Sequence, residues 1–204
     1  MCEGEDATQL IIHFLEYLRK REKRFEDYIV FDFGGNDELS GFLSDIRLLP
    51  GFDIVKSITI VRDSEVDHNK AIQSVKSALG KHGFPVPPKP NTIERGDGLK
   101  VAYSLFPSLS ENSLRGTLED LFIDNLSEDE VDNLLFDINA FLNDLKSKGR
   151  NFTWFHKTKL HTYFSVTDKF VKMKTGQAAQ AGAFNFECAE MNSLKELLEN
   201  IATK

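Results

Sequence analysis

Cysteine is almost absent. Only Cys2 and Cys188 occur in 204 residues, near opposite ends and without CxxC spacing. That excludes a disulfide framework and a cysteine-built zinc site, and it predicts a reducing, cytoplasmic compartment. Long apolar runs are missing too. The most apolar stretches, 29–33, 58–61 and 121–123, are far too short to span a bilayer, so no membrane partner is expected. The first six residues, MCEGED, lack a basic region followed by an apolar stretch, so no secretory signal is expected. Positive charge is in deficit: 25 Lys and Arg stand against 32 Asp and Glu, a net charge of −7. Such a chain is a poor general coat for nucleic acid, and any attraction must come from local basic patches or bound cations. No GxSxG motif supports Ser/His/Asp catalysis. His156 and His161 are five apart, the wrong spacing for paired ligands on one helix face.

What remains is a globular composition, 41% hydrophobic and 28% charged, of a length that suits one domain. Leu10, Ile11, Phe14, Leu15 and Leu18 recur at helical spacing, predicting a helix over 8–24 that ends in a basic run. A short strand is predicted over 28–33, stopped by Gly34-Gly35. A helix follows, capped by Asn36 or Asp37 and running to about Leu49. Ile54, Val55, Ile58, Ile60 and Val61 mark a strand over 53–62. A helix over 69–79 should end at Gly80. The proline-rich 85–90 reads as a stiff connector, and 100–106 as another strand. Gly116 opens a helix. Ser127 with Glu130 forms a capping box for a second, running to about Lys148. Residues 151–164 read as a helix, with a strand as the alternative their aromatics allow, and 193–202 as a closing helix. Strand–helix alternation in the first half predicts an α/β fold with a mostly parallel sheet flanked by helices. The division expected is an α/β core over 1–110 and a mainly helical C-terminal extension over 111–204 packed on that core.

In parallel sheets functional groups gather at the C-terminal ends of strands. Here those ends carry Gly34-Gly35 and the acidic Asp63-Ser64-Glu65-Val66-Asp67. Carboxylates at alternate positions can face one cleft, and hard cations such as Mg²⁺ take oxygen ligands. The alternative is a solvated acidic loop that caps the next helix. Gly34 and Gly35 permit close backbone approach, and the following helix start favours an anion. Glu3-Gly4, just ahead of the first helix, could reach the same cleft.

Glu3-Gly4, Gly34-Gly35 and the DxExD at 63–67, in that order, resemble the Toprim domain of topoisomerases, bacterial primases and OLD-type nucleases. Gly116-Thr117-Leu118-Glu119-Asp120, Lys157-Thr158-Lys159 and the stretch from Gly176 to Phe184 are similar to a stand-alone Toprim-related family of unknown function. The resemblance covers nearly the whole chain. It implies a Toprim-like sheet and a Mg²⁺ or Mn²⁺ site drawn from Glu3, Asp63, Glu65, Asp67, Thr117 and Glu119. It also implies Glu3 as general base, general acid or second-metal ligand, and Lys157 or Lys159 as the cation facing the phosphoryl group. Gly34 and Gly35 would be the backbone cradle of the bound group. Two departures stand out. Ala7 occupies the place of a second first-motif acid, and only Met1 and Cys2 precede Glu3. Either the start lies too far downstream, or the sheet lacks most of its first strand.

The activity implied is metal-dependent phosphodiester cleavage of DNA or RNA. Nucleic acid would be held by local basic patches, with Lys169, Lys172 and Lys174 preferred over 19–24. The competing class is a non-catalytic metal- or nucleotide-binding regulatory subunit, as in a defence system. A homo-oligomer or a protein partner is compatible with either.

Overall fold

The computed structural model describes residues 1–64, 67–107, 116–126 and 131–202, with only the backbone of Arg24, Asn36, Val131 and Asp132. Glu65, Ser127 and Glu130 therefore lie outside the described residues.

The chain is mixed α/β, with helices packed on both faces of a small sheet. Helix α1 (Gly4–Arg19) buries Leu10, Ile11, Phe14, Leu15 and Leu18, the stripe read from the sequence. It stops earlier than the basic run suggests. Arg19 turns back, donating from Nε to Phe25 O and from an Nη to Tyr28 O, and so holds a short 3₁₀ turn at Lys23–Phe25. Residues 28–33 form no strand; a single parallel bridge at Asp32 remains, with Ile29 left 76% exposed. Gly35, rather than Asn36 or Asp37, is the cap of a 3₁₀ turn that leads into helix α2 (Leu39–Asp45).

Strand β1 (Ser57–Asp63) starts late, because a 3₁₀ turn at Phe52–Ile54 takes the front of the expected strand and leaves Ile54 exposed. Helix α3 (His68–Lys81) runs through Gly80. The chain turns instead at Gly83, whose φ of +66° suits glycine. Strands β2 (Ile93–Gly96) and β3 (Leu99–Phe106) form a hairpin across Asp97-Gly98, both at positive φ. This Asp-Gly turn is a strong local hairpin signal. It makes the sheet mixed rather than mostly parallel: the order is β1-β3-β2, with β1–β3 parallel and β2–β3 antiparallel.

The second half is helical, as expected: α4 (Leu118–Asp124), α5 (Val131–Ser147), α6 (Phe155–Val166), α7 (Thr175–Gln180) and α8 (Ala189–Ala202). Alternation along the strands sorts the core into two layers. Ile58, Ile60, Val101, Tyr103 and Leu105 face α2 and α3. Val61, Ala102 and Phe106 join Leu10, Phe14, Phe122, Phe164 and Leu198 in a cluster drawn from both halves of the chain. Among the described residues no helix is long and apolar enough to cross a membrane.

Met1 to Glu3 lie beside β1. Val61 N–H donates to Met1 O (2.8 Å) and Glu3 N–H to Val61 O (3.0 Å). On the other side Cys2 N–H donates to Phe31 O (2.8 Å) and Phe33 N–H to Cys2 O (3.0 Å). Cys2 thus bridges in parallel to both Val61 and Asp32. That arrangement delivers Glu3, Asp32 and Asp63 to one end of the sheet.

Candidate functional site

Glu3 leaves the sheet where α1 begins. Its Oε2 lies 3.2 Å from Nε of Arg62 and accepts from the backbone N–H of Asp63 at 3.3 Å. Arg62 is buried to 1% exposure on the α3 side of β1, where an Nη donates to Ser74 Oγ at 3.2 Å. A guanidinium so deeply buried requires an anion, and Glu3 supplies it.

Asp63 ends β1. Its Oδ1 accepts from the backbone N–H of Leu118, the first residue of α4, at 2.9 Å. A carboxylate suits that position, because the first amides of a helix have no partners within it. The next residue, Glu119, is only 3% exposed, and its Oε1 lies 3.4 Å from Nζ of Lys157 on α6. Asp120 joins the same two helices. Its Oδ2 accepts from the N–H and the hydroxyl of Thr117, closing a capping box, and its Oδ1 lies 3.1 Å from His156 Nδ1.

The structure therefore links Glu3, Arg62, Asp63, Glu119 and Lys157 into one run of contacts from the end of the sheet to α6. Other sequence candidates have local partners. Asp67 caps α3, accepting from Lys70 N–H at 3.1 Å. Thr117 caps α4. Gly34 donates its N–H to Asp32 Oδ1 (2.7 Å) and Gly35 to Glu38 Oε2 (3.2 Å), so both amides of the expected cradle already have carboxylate acceptors. Lys159 lies two residues beyond Lys157 and so on another face of α6. It acts on Asp124, opposing the rise in that carboxyl's pKa caused first by desolvation and then by Asp120. Lys174 pairs with Glu5 at 3.1 Å. Ser64, fully buried, shares a hydrogen bond with Nδ1 of His68, whose pKa burial pushes down.

The donor chemistry of Glu3, Asp63 and Glu119 is carboxylate oxygen throughout, which fits a hard divalent cation. Among the described residues, no three His, Cys, Asp or Glu side chains stand together as a ready metal-binding group.

A family model described as "Protein of unknown function (DUF3226)" matches residues 1–203. The chain belongs to that family. No curated protein and no solved structure matches it.

In this DUF3226 member three residues at the site escaped the sequence reading. Arg62 extends the Ile58–Ile60 alternation onto the core side of β1, and a charge at such a position is itself a signal. Asp32 sits within a segment read as an apolar strand. Its Oδ1 accepts from both Gly4 N–H (3.1 Å) and Gly34 N–H. Asp120 sits in the G-T-L-E-D segment beside the residue that drew attention, Glu119.

Proposed function

We propose that this protein is a Toprim-type, divalent-metal-dependent phosphodiesterase acting on nucleic acid, its cleft lying at the end of β1. One observation carries the reading. Asp63 holds the start of α4, so that Glu119, buried and facing Lys157, follows directly beside the strand end that also receives Glu3. Glu3 reaches the backbone of Asp63, Asp63 holds the start of α4, and Glu119 faces Lys157, so the candidates follow one another along a chain of neighbours. The parallel bridges of Cys2 to Asp32 and Val61, beside the parallel β1–β3 pair, support a Toprim-like sheet order. The two buried free thiols, Cys2 and Cys188, support a cytoplasmic setting.

Glu3, Asp63 and Glu119, with Glu65, are the residues that would hold Mg²⁺ or Mn²⁺. The metal would supply electrostatic stabilisation of a phosphate oxygen as charge develops. Lys157 would add positive charge beside the same group. Arg62 holds the Glu3 carboxylate toward the backbone of Asp63, where it can take a proton from an attacking water or return one to a leaving oxygen.

A second reading, binding without turnover, draws on the internal pairing. Glu3 is matched by Arg62, Glu119 by Lys157, and the Gly34 and Gly35 amides by carboxylates. A cleft so balanced can rest stably without a metal.

The test is cleavage of supercoiled plasmid, linear DNA and single-stranded RNA with Mg²⁺ or Mn²⁺. Asp63→Asn and Glu119→Gln serve as controls. Cleavage that needs the metal and disappears in both variants supports the phosphodiesterase. Folded protein without cleavage at any metal concentration turns the assignment to the binding subunit.

A further inference from the structure

The chain as a whole is acidic, yet from 145 to 167 it carries five Lys and Arg (Lys146, Lys148, Arg150, Lys157 and Lys159) and no Asp or Glu. This basic island spans the last turn of α5, the connection to α6, and most of α6 itself. In its middle stands Trp154, the only tryptophan of the protein, 66% exposed.

Trp154 is the N-terminal cap residue of α6. Its carbonyl accepts from both the N–H and the hydroxyl of Thr158, each at 3.0 Å, so the backbone beneath the indole is held by the helix. Lys157, which reaches Glu119 in the candidate cleft, is three residues on and therefore on a neighbouring part of the same face. Behind them the rings of Phe152 and Phe155 pack at 6.1 Å, and Lys146 Nζ sits 3.6 Å from the Phe155 centroid. Arg150 is exposed. Leaving an indole in water forgoes a large apolar burial. An exposed ring among cations, without acids in the same stretch, has the chemistry of a stacking platform for unpaired bases with phosphates alongside.

We propose that the α5–α6 corner docks single-stranded nucleic acid, with a base stacked on Trp154 and phosphates met by Lys146, Arg150 and Lys157, feeding the strand toward Glu119. This rests on the phosphodiesterase reading for the identity of the ligand, and it adds that the substrate is single-stranded at the point of entry. Bases inside a duplex are already stacked on each other and cannot use the indole.

The single tryptophan is its own reporter. In EDTA, oligo(dT) and oligo(U) should quench its fluorescence, and a blunt duplex should not. With about three phosphates neutralised, the salt slope for a single strand is about −2, so a fourfold rise in salt should weaken binding by roughly 20-fold. Trp154→Ala, followed by anisotropy of a labelled oligonucleotide, should lose roughly tenfold or more in affinity. Lys146→Gln and Arg150→Gln should each lower the slope by about 0.7. Circular dichroism confirms that each variant is folded. No quenching by either single strand, equal quenching by the duplex, or unchanged affinity in Trp154→Ala would overturn the proposal. Binding is read without metal and cleavage with it, which separates the two ideas. Asp63-dependent cleavage with no role for Trp154 defeats this docking site and leaves the phosphodiesterase standing. Trp154-dependent binding without cleavage supports the site and defeats turnover.

Discussion

The guanidinium of Arg62 lies 3.2 Å from the carboxylate of Glu3, joining a buried strand residue to the first residues of the chain. Each makes the other tolerable: Arg62 is 1% exposed, and the Glu3 side chain is mostly covered. Replacing Arg62 by Met should therefore cost about 3–5 kcal/mol, since it removes the cation facing a mostly covered carboxylate. The double variant Arg62→Met, Glu3→Gln should recover much of that loss. Urea denaturation of these two variants and of Glu3→Gln alone measures the coupling, and strict additivity would show that the pair is not coupled.

Asp63 has two separable jobs. Its oxygen caps α4 through Leu118, and its charge is what the proposed metal site would use. Asn keeps an acceptor but no charge, so Asp63→Asn should lose about 1 kcal/mol of stability while abolishing metal-dependent cleavage. Asp63→Ala should lose more stability, through the unpaired Leu118 amide. Thermal melts beside cleavage assays distinguish the two effects.

Gly34 has a φ of +86°, and a Cβ there would stand 1.5 Å from Glu38 Oε2. That oxygen can move, but only by giving up the Gly35 amide. Gly34→Ala should cost about 1–2 kcal/mol from backbone strain alone. Gly35→Ala meets nothing within 4 Å and should be milder. Melting temperatures compare them directly.

Tyr103 is fully buried in β3, and its hydroxyl has no hydrogen-bond partner among the described residues. Burial pushes its pKa up to about 12 from an ordinary 10. The unfolded chain releases this proton first, so between pH 10 and 12 the unfolded state binds fewer protons and stability falls as pH rises. Tyr28, also raised to about 12 by burial, acts in the same direction. Tyr103→Phe should flatten part of that alkaline slope. At neutral pH it should stabilise the fold by up to about 1 kcal/mol, because an unsatisfied polar group is removed. Denaturant midpoints from pH 8 to 12 test both effects.

Much of the helical framework was legible in the sequence, because periodicity reports burial directly: the stripe of α1 and the run of α3 were both visible. Errors came where tertiary partners outweigh local pattern. Residues 28–33 are apolar enough for a strand, but their neighbour in the sheet, Met1 to Glu3, offers only a single bridge. The β2–β3 hairpin was missed although Asp97-Gly98 announces it, since the proline-rich stretch before it reads as connector. At the site, the resemblance to the Toprim pattern, rather than acidic spacing alone, pointed to Glu3, Asp63 and Glu119. It could not show that Asp67 and Thr117 serve helix caps, because a cap and a ligand use the same residue types. Arg62 and Asp32 stayed hidden inside segments read only for their apolar neighbours.

The run Glu3–Arg62–Asp63–Glu119–Lys157 spans more than one hundred and fifty positions of sequence and is closed by contacts that are nearly all non-local. Such contacts form late, after the loops between them have been closed. Arg62 is available to Glu3 early in synthesis, whereas Lys157 can meet Glu119 only once α6 has been made and docked. A chain that stops short of α6 therefore carries a buried carboxylate, Glu119, without the cation that faces it, and completing α6 supplies that cation.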